Sequence, residues 1–148
     1  MGKVSRIKVN RRILKFFALE HDLLGGQGSS PITVVIDGNF LHTTLAARLG
    51  EVSSLIASSL GGSTRVRAVA TRCILRELRS LEKDYSGTAL AGKRLVLLPC
   101  RHIDGSAKNA AECIKHLIGD RNTEKYAIAT QVRLPWWNGA SCLTEVLR

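Results

Sequence analysis

A chain of 148 residues is long enough to close one sizeable hydrophobic core and short for two. Apolar residues supply 45% of it, an ordinary globular share, and no run approaches the roughly 20 apolar residues that span a bilayer, so a membrane helix is excluded. Twenty-two Lys and Arg against 12 Asp and Glu leave a formal charge of +10, which points to phosphate-rich partners, although the total alone does not separate RNA from DNA or an anionic membrane.

The charge is concentrated at the start. Lys3, Arg6, Lys8, Arg11, Arg12 and Lys15 all precede the first acidic residue, Glu20, and together can neutralise several phosphates in a salt-sensitive way that reads no base sequence. This basic start lacks the apolar stretch of a secretory signal, so a soluble intracellular protein is expected. A short helix is predicted over 9–24, with Ile13, Leu14, Phe16, Phe17 and Leu19 as its apolar residues. Gly25-Gly26-Gln27-Gly28-Ser29-Ser30-Pro31 then breaks it, and residues 1–31 form an arm and linker ahead of a domain at 32–131.

Ile32-Thr33-Val34-Val35-Ile36 is short and almost uniformly apolar, the pattern of a buried parallel strand, and it delivers Asp37 to the carboxyl rim of a sheet. A helical stretch follows over about 39–60, in one piece or two, with Asn39 and His42 beside the carboxylate as a capping residue and a phosphate contact. Val66 to Ala70 reads as a second strand, and Thr71 as the cap of a helix carrying Cys73, Ile74, Glu77, Leu78 and Leu81. Cys73 and Glu77 lie one turn apart on a common side of it. A loop is expected through Asp84-Tyr85-Ser86-Gly87. Arg94 to Leu98 reads as a further buried strand, leading through Cys100 and His102 to a helix near 107–118 whose apolar side is Ala110, Cys113, Ile114, Leu117 and Ile118. Lys125 to Thr130 supplies the last strand. Alternating strands and helices predict a three-layer α/β domain with a mostly parallel central sheet. The tail at 132–148, with Trp136 and Trp137, has no comparable pattern.

Cys73, Cys100, His102 and Cys113 offer three thiolate sulfurs and an imidazole nitrogen, the donor set of a tetrahedral structural zinc. Four protein ligands leave no open position for an activated water, so such a metal would clamp rather than hydrolyse. The alternative is ordinary buried thiols beside a loop histidine; within the zinc reading Cys142 is the substitute ligand. Asp37, Glu77 and Glu112 are the carboxylates that could approach the same rim and hold hydrolytic cations. After Ala129-Thr130, however, the chain reads Gln131-Val132-Arg133, a poor rim for magnesium or manganese.

Val34-Val35-Ile36-Asp37-Gly38-Asn39-Phe40, Cys73 to Glu77, Cys100-Arg101-His102, Ala111-Glu112-Cys113-Ile114 and Tyr126-Ala127-Ile128-Ala129-Thr130-Gln131 together resemble PIN-domain ribosome-biogenesis proteins. The likeness is to the zinc-containing, small-nucleolar-RNA-associated members of the eukaryotic small-subunit processome, and it spans about residues 8 to 131. The resemblance implies a PIN-like fold and a structural zinc on Cys73, Cys100, His102 and Cys113. It also implies a nucleolar, noncatalytic RNA-binding and scaffolding subunit that contacts pre-rRNA, small nucleolar RNA and other processome proteins. Its nuclease members carry carboxylates at positions matching Asp37, Glu77, Glu112 and the segment after Ala129-Thr130. With that last position replaced here, the acidic site is expected to be vestigial, without catalytic magnesium or manganese. Two other readings stay open: a divalent-metal-dependent RNA endonuclease using Asp37, Glu77 and Glu112 with Asp104 or Asp120, and a protein-binding PIN module.

Overall fold

The computed structural model describes residues 30–60, 64–81, 85–104, 106 and 109–131. The basic arm, the helix expected over 9–24, most of the glycine-rich linker, Cys142 and the tryptophan pair all lie outside these residues.

Four parallel strands form the sheet: β1 (Ile32–Ile36), β2 (Val66–Thr71), β3 (Val96–Leu98) and β4 (Ala127–Ala129), in the order β3-β2-β1-β4. Val34 and Val35 of β1 point to opposite faces and both are fully buried, so the sheet is covered on both sides. The register pairs Val34 with Ala68 and with Ala127, which centres β1 between β2 and β4. The order of strands reverses at β1, and the crevice at such a reversal opens at the carboxyl ends of the strands. Asp37 and Thr130 stand at that opening.

The helices are α1 (Gly38–Ala46), α2 (Val52–Ser59), α3 (Arg72–Ser80), α4 (Ser86–Gly92) and α5 (Ala110–Ile118). The stretch expected over 39–60 is two helices, because Arg48 and Gly50 both take positive φ angles, 51° and 90°, that no helix continues through. The side chain of Glu51 then caps α2, accepting from the amides of Ser53 at 3.0 Å and Ser54 at 2.7 Å. Thr71 caps α3 as expected, and Asn109 caps α5 by accepting from the Glu112 amide at 2.9 Å.

Three expectations need correction. Tyr85 to Gly87 is no loop but the entry to α4, a helix without a broad apolar stripe whose buried residues are Thr88, Ala89 and Gly92. Its small residues are what let it sit tightly: a Cβ on Gly92 would lie 2.6 Å from a methyl carbon of Leu75 in α3. β3 is not buried. It is the edge strand next to β2, and Val96 and Leu97 are 42% and 45% exposed. Leu81 ends α3 rather than extending its buried side, and is likewise exposed.

Candidate metal centre

Three elements bring the cysteines and histidine together. Cys73 sits in the first turn of α3, directly after β2; Cys100 and His102 follow β3; Cys113 is in α5. Because β2 and β3 are adjacent and parallel, their carboxyl ends open side by side, and α5 runs against α3 above them. The four ligand atoms all lie within 4.8 Å of one another.

The individual separations have the dimensions of a coordination shell. Zinc–sulfur bonds of about 2.3 Å at tetrahedral angles put two sulfurs roughly 3.8 Å apart, and a sulfur and a nitrogen roughly 3.6 Å. Cys73 Sγ lies 3.9 Å from Cys100 Sγ, Cys100 Sγ 3.6 Å from Cys113 Sγ, and Cys73 Sγ 3.3 Å from His102 Nε2. Disulfide sulfurs would be about 2.05 Å apart, and all three cysteines are free thiols. His102 Nδ1 lies 3.0 Å from the Ile103 carbonyl, which can only accept, so Nδ1 carries the proton and Nε2 presents its lone pair to the cluster. The residues therefore fit a structural zinc, and all four positions of a tetrahedral ion would be filled by protein.

The thiols are not equivalent. Burial pushes Cys113 up to about 12, while its Sγ donates to Thr71 Oγ1 at 3.4 Å. Burial also raises Cys73, despite the Arg76 guanidinium 3.5 Å from its sulfur. Cys100 is half-buried; its partial burial raises it, but contacts from Cys113 and Cys73 and the neighbouring His102 outweigh that and hold it below the usual thiol range. A divalent cation supplies the positive charge that a set of thiolates in this setting lacks.

The carboxylates do not converge in the same way. Among the described residues, the cluster able to hold a metal is made of cysteine and histidine rather than an acidic triad. Asp37 turns one oxygen to the Gly38 amide at 2.8 Å and the other to the Thr130 hydroxyl at 2.9 Å, bridging β1 and β4 across the crevice. Burial raises its carboxyl above the ordinary 3.8; the Thr130 and Gly38 hydrogen bonds oppose that and Glu77 adds to it. Glu77 accepts from the Ala110 amide at 2.8 Å, so it caps α5 from α3. Glu112 is half-buried in the first turn of α5. Asp104 is exposed beside the cysteine cluster and Asp120 lies beyond the far end of α5. The His42 ring stacks on Tyr85, centroids 4.2 Å apart, and its Nδ1 lies 3.0 Å from Thr88 Oγ1. Asn39 is exposed, and the cap of α1 is Asp37 itself.

Thr130, Thr71 and Arg76 were not singled out as site residues by sequence. Thr130 and Thr71 are fully buried polar residues at strand ends, a signal available only once the strands are placed.

The family model Fcf1 matches residues 62–134. A solved structure described as the PIN domain endonuclease Utp24 superimposes with a TM-score of 0.58 at 25% identity, covering 70% of this chain and 73% of that one. The chain is similar to the Fcf1 family over that stretch and shares the PIN-like fold of the Utp24 structure. The Fcf1-matched stretch contains all four cage residues, together with β2, β3 and β4. The rim of this PIN-like sheet therefore carries two adjoining features, the Cys₃His cage over β2 and β3 and the Asp37–Thr130 bridge over β1 and β4.

Proposed function

We propose that this chain is a noncatalytic RNA-binding and scaffolding subunit of early small-ribosomal-subunit assembly, held together by zinc on Cys73, Cys100, His102 and Cys113. In this reading residues 32–131 are a degenerate PIN-like domain, 1–31 its basic arm and 132–148 a divergent tail. Lys3, Arg6, Lys8, Arg11, Arg12 and Lys15 contact phosphates of pre-rRNA or small nucleolar RNA, and the workplace is the nucleolus, beside other processome proteins. The observation that carries the proposal is the contrast at the sheet rim. A complete thiolate and imidazole set converges there, while Asp37 is engaged by Thr130 and Gly38 and Glu77 by the Ala110 amide. A hydrolytic cation pair needs carboxylate oxygens turned to a common point, and these oxygens are turned to protein donors.

The test uses the full chain loaded with zinc. Salt-sensitive binding to RNA, without cleavage in magnesium or manganese, is the expected result. Folded, metal-loaded protein that binds no RNA at low salt would remove direct RNA recognition and leave a protein-binding module.

The second reading is an RNA endonuclease. It is favoured by the coupling of Asp37 to Glu77 at one rim and by the endonuclease description of the Utp24 structure. Here Asp37, Glu77 and Glu112, with Asp104 or Asp120, would hold the cations. Metal-dependent cleavage abolished by Asp37→Asn, with zinc content unchanged, would replace the scaffolding proposal by this one.

A further inference from the structure

Beside the cage, a groove of about 760 Å³ runs between α3 and the segment after β3. Arg72, Arg76 and Arg79 line one wall, all exposed, Leu97 and Pro99 form an apolar part of the other, and Asp104 also lines the groove. Their spacing of four and then three residues sets the arginines on one side of α3, along about 10 Å of its axis. We infer that this groove binds a short stretch of single-stranded RNA, its phosphates on the arginine ridge and its bases against the apolar wall. The inference rests on the RNA-binding reading above and assigns it a second contact surface, on the folded domain rather than on the arm.

Four features select this ligand. Guanidinium forks match phosphate oxygens two at a time and also stack on bases, which ammonium groups do not. A purely electrostatic surface needs no apolar wall, whereas Leu97 is nearly half exposed on an edge strand facing the ridge. A groove of this volume is the size that takes a drug-sized ligand, hence about one or two nucleotides, and an A-form duplex stays outside it. The walls are also tied to each other by the cage, since Cys73 belongs to the α3 wall and Cys100 and His102 to the opposite one. The metal ligands thereby fix the distance between the phosphate ridge and the base-facing wall.

Arg76 touches the Cys73 sulfur, so the test leaves it in place and changes its two neighbours. The full, zinc-loaded chain and its Arg72→Gln/Arg79→Gln variant are titrated with a labelled single-stranded RNA of mixed sequence, about 12 nucleotides long. Lys93→Gln/Arg94→Gln, outside the groove, removes the same charge. The groove variant is expected to bind at least about tenfold more weakly, with its salt slope reduced by about 1.4, while the control stays within about twofold of the parent. Annealing the complementary strand should weaken binding to the parent toward the level of the groove variant. A groove variant indistinguishable from the control overturns the assignment but leaves RNA binding by the arm intact. A parent that binds no RNA overturns both. Polyglutamate that competes with the RNA at equal charge concentration also overturns it, marking the groove as an acidic-peptide site.

Discussion

Cys100 occupies the middle of the cage, 3.9 Å from one sulfur and 3.6 Å from the other, and it is the thiol that the surroundings hold most readily as thiolate. Replacing it by serine exchanges a soft ligand for a poorly ionised hydroxyl. Cys100→Ser is expected to copurify without stoichiometric zinc and to lose about 1–2 kcal/mol in urea unfolding, the share carried by the segment that the cage ties down. The parent stripped by a strong chelator should then match the variant; an undiminished zinc content in Cys100→Ser would contradict the cage. Asp37 makes the opposite kind of prediction. Its carboxyl is raised in the folded state, mainly by burial, so its ionisation disfavours folding. The sign follows: the favourable contribution is complete below the ordinary 3.8 and is lost as pH rises through the higher folded value. Asp37→Asn should therefore equal the parent in stability below pH 3.8 and match or exceed it at pH 7, as read from thermal midpoints. A markedly less stable variant at pH 7 would mean that Asp37 is stabilised as an anion by something the protein binds.

At the scale of elements, the helices are positioned by side chains that reach their amino ends. Glu51 shows the effect most clearly. Burial is the largest single influence and opposes its ionisation, but hydrogen bonds from the Ser54 hydroxyl and from the amides of Ser54 and Ser53 together outweigh it and lower its pKa from 4.5 to about 2. A depressed folded value contributes stability above pH 4.5 that is lost as pH falls toward 2. Glu51→Ala is expected to cost about 1 kcal/mol at pH 7, the usual worth of a cap, and its curve of stability against pH should approach that of the parent between pH 4.5 and 2. A gap independent of pH would assign the cost to helix packing instead. Glu77 does for α5 what Glu51 does for α2, but from a different helix, so it couples α3 to α5 next to the two cysteines those helices contribute.

Across the whole molecule, two kinds of cohesion divide the sheet. β1 and β4 are buried and are joined at their ends by Asp37 and Thr130. β3 is a three-residue exposed edge, paired only along Val69 to Thr71, and the segment after it is tied down by the cage. Removing the metal should accordingly be a local event. Hydrogen exchange after chelation is expected to rise first at Val96 to Asp104 and at the start of α5, while the amides of Val34 to Ile36 keep most of their protection. Simultaneous loss at both places would show that the cage holds the entire domain.

Much of this arrangement follows from local pattern. A β-branched run before Asp37, a threonine before an amphipathic helix, and apolar residues at helical spacing from Ala110 to Ile118 each specify an element within a few residues. The chemistry of thiol and imidazole narrows the ligand set before any contact is known. Where local signals were weak the expectations failed: α4 is built of glycine, threonine and alanine because its neighbours press close, and β3 is apolar although one side of it meets no strand. The use of Glu77 as a cap, the Thr130 bridge and the arginine groove were settled only by tertiary structure. Each joins residues from different elements, and a single sequence carries the period of a helix or strand but not the distance between two of them.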